Sequence, residues 1–167
     1  MAQDTIVVGV DDSPQAVTAL RWAAELARSA GSRLVGVHVL QWPQAQDLYA
    51  YSVVADQVYP DPGQLEAMYR TPSEQVFAGV DPEPGWTLRF AQGHAGHILV
   101  DQSREARMLV LGAREHTGLV RLLTGSTGHY CLSHAVCPLV SVPCAVPAEA
   151  VAPVGTGERP GALPPRV

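Results

Sequence analysis

TIVVGVDDSPQAVTALRWAAELARSAGSRLVGVHVL, residues 5–40, holds the pattern on which the fold turns. Its first six residues are apolar or β-branched apart from one glycine, as in a short strand buried on both faces. Asp11-Asp12-Ser13-Pro14 follows. A small polar residue before proline starts a helix: the serine hydroxyl accepts a free N–H, and proline at the first helical position has no N–H to lose. Apolar residues then recur at Ala16, Leu20, Ala23, Ala27 and Ala30 in steps of four and three, which is one face of a helix, and Gly31 is placed to end it. RLVGVHVL, residues 33–40, reads as a second buried strand. Strand, helix, strand predicts a parallel pair joined by a right-handed crossover.

Downstream the same alternation continues. Residues 41–63 break it, with Trp42, Pro43, Tyr49, Tyr51, Tyr59, Pro60 and Pro62 and no sustained period. A loop of that length inside a compact domain is uncommon and often functional. Residues 65–80 are weakly helical, with Pro72 expected to break the helix or start a fresh one. A third strand is expected at 86–90, a third helix at 95–105 with Ile98 and Leu99 inward, and a fourth strand at 107–112 (RMLVLG). A fourth helix at 127–135 and a fifth strand at 139–142, opened by Pro138, complete the series. The pattern predicts an α/β fold: a doubly wound, five-stranded parallel sheet, Rossmann-like, with helices on both faces. Such sheets bind ligands beyond the carboxyl ends of their strands, here after Val10, after Val39 and after Leu111. One domain is expected over residues 1–143. Residues 144–167, rich in Ala, Pro and Gly and without an apolar period, read as a disordered tail.

Composition narrows the function. The chain has 167 residues, of which 47% are hydrophobic and 16% charged, as in ordinary globular domains. A net charge of −5 argues against non-specific nucleic-acid binding, which needs a surplus of cations facing phosphates. No apolar run is long enough to span a bilayer, and no basic region followed by an apolar run opens the chain, so a cytoplasmic protein is expected. Cys131, Cys137 and Cys144 are odd in number and form no C-x-x-C pair, which suits reduced thiols, two of them packed near the last strand.

GAREHTGLVRLLTGS, residues 112–126, carries the clearest chemistry. It leaves a buried strand, crosses a glycine-containing loop and enters a helix near Ser126. A helix N-terminus offers unpaired N–H groups and the positive end of a dipole, which suits a phosphate. Gly125 removes a side chain where backbone must approach an anion, and the hydroxyls of Ser126 and Thr127 can donate to it. The same residues also fit a strand-to-helix loop with a serine cap and no ligand.

The spacing of this segment resembles the nucleotide-binding loop of universal stress proteins: Gly, two residues, Gly, nine residues, Gly, then Ser or Thr. Gly112 stands at the first position and Gly125-Ser126 at the last. HAVCPLVSV, residues 134–142, resembles the family's ending; the opening VVGVDDS and Val37-His38-Val39 resemble its first two strand ends. The resemblance spans about residues 5–143, without the middle loop. It implies an adenine nucleotide α-hydrolase-like fold with ATP, with or without Mg²⁺, bound across the strand ends. On that basis Gly9 and Asp11 would border the adenosine, and Val39 would meet adenine through its backbone. Leu111 and Gly112 would border ribose and phosphates, and Gly125, Ser126 and Thr127 would hold the phosphates. The resemblance also implies a homodimer through the last strand, a regulatory protein partner, and at most weak hydrolysis.

Three positions depart from the family's pattern, of which Asp12, where glycine is common, can simply face solvent. Glu115 replaces the second glycine, and a carboxylate close to a phosphate would cost about 1–4 kcal/mol unless Mg²⁺ or Arg114 intervenes. Gly128 takes the place of a usual hydroxyl residue and removes a phosphate donor. These departures, with the aromatic stretch from Trp42 to Tyr59, leave a second reading: an interaction or scaffold protein with a degenerate pocket. A third, an adenylating enzyme, lacks a second substrate domain. His94 and His97, and His129 and His134, supply no converging set of three or four ligands, so surface or capping roles are expected for them and no metal site. No nucleophile–histidine pairing has a catalytic context either.

Overall fold

The computed structural model describes residues 4–40, 62–113 and 126–144. Within them the chain alternates strand and helix: β1 (Thr5–Gly9), α1 (Pro14–Ala30), β2 (Arg33–Leu40), α2 (Pro62–Ala78), β3 (Thr87–Gln92), α3 (Ala95–Gln102), β4 (Met108–Ala113), α4 (Ser126–His134) and β5 (Leu139–Pro143). The five strands form one parallel sheet in the order β3-β2-β1-β4-β5. The chain winds outward from β1 to β3 and then crosses back to β4, so the winding reverses between β1 and β4. This is the doubly wound architecture expected from the alternation of elements.

Alternating side chains divide the core in two. Ile6, Val8, Val10 and Leu34 face α1 and α2, where Ala19, Leu20, Ala23, Ala27 and Phe77 close over them. Val7, Val35, Val37, Leu109 and Leu111 face α3 and α4, against Leu99, Val100 and Cys131. The face of α1 is nearly all alanine, which lets its backbone lie close to the sheet. The effect is greatest at Gly112, where a Cβ would stand 2.4 Å from the carbonyl oxygen of Gln15. Gly112 is therefore glycine for a packing reason: the first turn of α1 crosses the end of β4 there.

The caps of α1 are the ones its sequence announced. Ser13 accepts the N–H of Ala16 at 3.2 Å, Pro14 opens the helix, and Gly31 closes it in the left-handed region at φ 63°. Ala30, expected on the buried face, is exposed, because the last turn of α1 runs past the edge of the core; Ala19 and Ala24 are buried instead.

Pro72 neither breaks nor restarts a helix, and α2 continues through it. Proline forfeits one helical N–H bond. Packing of Val76 and Phe77 against the sheet holds the turns beyond it. Helix α3 stops at Gln102, short of the expected residue 105, where the buried Ser103 turns its hydroxyl onto the Val100 carbonyl at 3.1 Å. The expected long loop lies, over residues 41–61, outside the described residues, as do the proposed tail from residue 145 onward and the positions Arg114, Glu115 and Gly125.

Candidate functional site

Every crossover in a parallel sheet brings a helix back to start near the carboxyl end of a strand. Here three helix N-termini meet one cavity of about 290 Å³ at the point where the winding reverses. Ser13, Gln15 and Ala16 come from the start of α1, Ala95 from the start of α3, and Ser126, Thr127 and Gly128 from the start of α4. The strand ends supply Gly9, Val10 and Asp11 from β1, Val37 and Val39 from β2, and Leu111 and Gly112 from β4. Seven of the eight residues singled out in the sequence thus line one space: Gly9, Asp11, Val39, Leu111, Gly112, Ser126 and Thr127. The eighth, Gly125, lies outside the described residues.

The cavity has two chemically distinct halves. Toward β1 and β2 its wall is largely apolar, from Val37, Val39 and Leu99, with one carboxylate, Asp11. That carboxylate accepts the N–H of Ser13 at 2.9 Å, so it caps the turn that leads into α1 and is held at the rim. Gly9 keeps the floor low, because a Cβ there would press to 3.0 Å on the Leu111 side chain. Toward β4 the wall is polar, with the hydroxyls of Ser126 and Thr127 in the first turn of α4. Unpaired N–H groups and the positive ends of three helix dipoles favour negative charge there. The volume is at the small end of the range for ligand sites. A flat apolar group fits the first half and an anionic group the second.

Several lining residues carried no sequence signal. Gln15, Ala95 and Leu99 reach the cavity only through the crossover geometry, and their types are common on any helix. Gly128, noted as a departure from the family's pattern, does line the cavity.

The histidines are elsewhere. His94, His97, His129 and His134 are exposed. His94 occupies the N-cap position of α3 without a side-chain cap bond. Tyr130 is stacked between His97, at 4.2 Å, and His134, at 4.0 Å. Among the described residues no three His, Cys, Asp or Glu side chains converge as metal ligands. The three cysteines are free thiols. Burial pushes the Cys131 thiol up to about 11, with the neighbouring Cys137 adding to the effect.

The sheet order, with a cavity at its switch point, defines a doubly wound α/β protein. The universal stress protein family matches residues 3–143, and the chain belongs to that family. It is 30% identical over 145 residues to a universal stress protein of Mycolicibacterium smegmatis, a match that covers 82% of this chain but only 47% of that protein. The chain therefore spans about half the length of this relative. Among solved structures it is similar to the universal stress protein of Archaeoglobus fulgidus in complex with dAMP. The TM-score is 0.57 at 21% identity, covering 84% of this chain and 98% of that one. A universal stress protein in complex with cAMP gives 0.57 at 22% identity, covering 87% of this chain and all of the other. At these identities the two structures support the fold.

Proposed function

We propose that this chain binds an adenine nucleotide, ATP in the first instance, in the cavity at the ends of β1, β2 and β4. The observation that carries the reading is the convergence of three helix N-termini on a cavity whose other half is apolar and holds one carboxylate. Adenine would lie against Val39 and its backbone, with Asp11 beside the adenosine. Gly9, Leu111 and Gly112 would leave room for the ribose, and Ser126, Thr127 and Gly125 would hold the phosphates. The dAMP and cAMP complexes of similar proteins support the choice of base. Bound ATP would bring its own Mg²⁺, held by its phosphates and few protein carboxylates rather than by a dedicated metal cage.

The role we infer is regulatory binding with weak or no hydrolysis, as the family resemblance implies. Titration calorimetry with ATP·Mg²⁺ tests the reading: saturable heat at micromolar to millimolar ligand is expected, and no heat and no thermal shift at millimolar ligand would reject it. Glu115→Gly separates it from a degenerate pocket on an interaction protein. Binding in the natural protein supports the sensor, whereas binding only in the variant supports the scaffold.

Pairing of two copies through β5 belongs to the same proposal. β5 is an edge strand of the sheet, and Leu132 of α4 and Val136 of the turn before β5 are 55% and 69% exposed. Sedimentation at micromolar concentration should show a dimer, and a monomer alone would remove this part. A cytoplasmic setting, where a regulatory partner would read the liganded state, fits the three free thiols. Among the described residues no helix is long and apolar enough to cross a membrane.

A further inference from the structure

Val39 and His38, next to each other on β2, face opposite sides of the sheet. Val39 lines the cavity, while His38 is turned into the core under α2 and is only 8% exposed. Its Nδ1 lies 3.0 Å from the carbonyl oxygen of Val10 and 2.7 Å from the hydroxyl of Ser73, a fully buried residue of α2. A carbonyl oxygen only accepts, so the hydrogen-bond network assigns the proton to Nδ1, shared between Val10 and Ser73. The ring of Phe90, 5.6 Å away between centroids, packs against the imidazole.

Burying an imidazole and a hydroxyl costs desolvation that a valine or leucine at the same places would avoid. The place where the bond lands gives the reason for keeping them. The last registered pair of the β1–β2 ladder is Gly9 with Val37. One residue on, Val10 still donates its N–H to Val37 at 2.9 Å, but its carbonyl is met by the His38 ring. The next residue is Asp11, whose carboxylate holds the turn into α1. A single nitrogen thus ties the ends of β1 and β2 and the middle of α2 together behind the cavity wall.

We propose that His38 and Ser73 are positioning residues: a latch that fixes Asp11 relative to the Val39 backbone and so sets affinity for the nucleoside half of the ligand. The inference rests on the adenine-nucleotide reading of the cavity. It assigns the two ends of the ligand to different structural supports, since neither latch residue lines the cavity and the Ser126 end does not depend on them.

The test compares the full chain with its His38→Leu, His38→Asn and Ser73→Ala variants, titrated with adenosine, AMP and inorganic tripolyphosphate and followed by amide hydrogen exchange. His38→Leu should weaken adenosine and AMP by the same factor, about tenfold, the scale of one lost hydrogen bond in a buried setting, and leave tripolyphosphate unchanged. Ser73→Ala should act in the same direction by about threefold. His38→Asn, whose amide N–H stands where Nδ1–H stood, should recover most of the loss. Without ligand, amides 11–13 should exchange about tenfold faster in His38→Leu while those of β4 keep their rates. If His38→Leu does not fold, Ser73→Ala carries the same comparison. Unchanged exchange at 11–13, or an equal loss for all three ligands with faster exchange across the whole sheet, overturns the latch. If the natural protein takes none of the three ligands, the nucleotide reading fails. The exchange comparison then decides the latch alone: a local rise sustains it, and no rise overturns it.

Discussion

The two halves of the cavity are built by different means. The β1–β2 half is a product of the sheet: Gly9 and Val37 are paired in the ladder, Val10 and Val37 are buried, and His38 and Ser73 stand behind them. The β4–α4 half is a product of close approach: Gly112 touches the backbone of α1, and Ser126 and Thr127 open a helix at the surface. One half is held by hydrogen bonds deep in the core, the other by the absence of a side chain. Substitutions should therefore fail differently in each: through the fold at Gly112, through affinity at Asp11.

The largest effect is expected at Gly112. Gly112→Ala places a methyl group 2.4 Å from the Gln15 carbonyl, which the backbone cannot accommodate without moving. A loss of about 2–3 kcal/mol is expected, which thermal unfolding would record as a fall in Tm of roughly 5–10 °C. Wild-type stability in this variant would mean that α1 does not cross β4 as described.

Cys131, on the buried face of α4, gives a pH-dependent effect of the next size. Its thiol is raised from 9.0 to about 11, chiefly by burial. The unfolded chain then loses this proton at lower pH than the folded one. The contribution to stability is complete below pH 9 and is lost as pH rises from about 9 through 11, at up to about 1.4 kcal/mol per pH unit. The chain has no lysine to obscure that window. Denaturant titrations between pH 8 and 10.5 should show a steeper decline for the natural protein than for Cys131→Ala, and equal slopes would contradict the burial.

Affinity separates the halves. Asp11→Ala should weaken adenosine and ATP alike, by about tenfold. Ser126→Ala should weaken ATP by a few-fold and leave adenosine unchanged. The reverse pattern would place the base at α4 and the phosphates at β1. An effect of similar size is expected at the cap of α1, where Ser13→Ala removes the bond to Ala16 and should cost about 1 kcal/mol.

The strands, the caps of α1 and the order of elements were legible in the sequence because each depends on neighbours along the chain. Apolar runs at residues 5–10, 33–40 and 107–112 are buried on both faces, and Ser13, Pro14 and Gly31 act within one turn of their own positions. What could not be read depends on contacts distant in sequence. The family resemblance assigns Gly112 to a ligand, yet its glycine is dictated as much by Gln15, 97 positions away. Pro72 carried a true local signal, a missing N–H, that packing of Val76 and Phe77 outweighs. In the sequence His38 stands out only as part of a family-like strand end. Its partner Ser73 is thirty-five residues away and has no pattern to announce it. Position along the chain picks out residues that line the cavity, and the supports behind them come from the structure.

The claim that an adenine nucleotide lies across the two halves is tested most directly by ATP titration of the ¹⁵N-labelled protein, with amide shifts followed residue by residue. The account predicts saturable shifts at Gly9, Asp11, Val39, Gly112, Ser126 and Thr127, with the opposite ends of the strands, around Thr5, Arg33 and Thr87, unaffected. No shifts at millimolar ATP, or shifts gathered at those opposite ends, would contradict it.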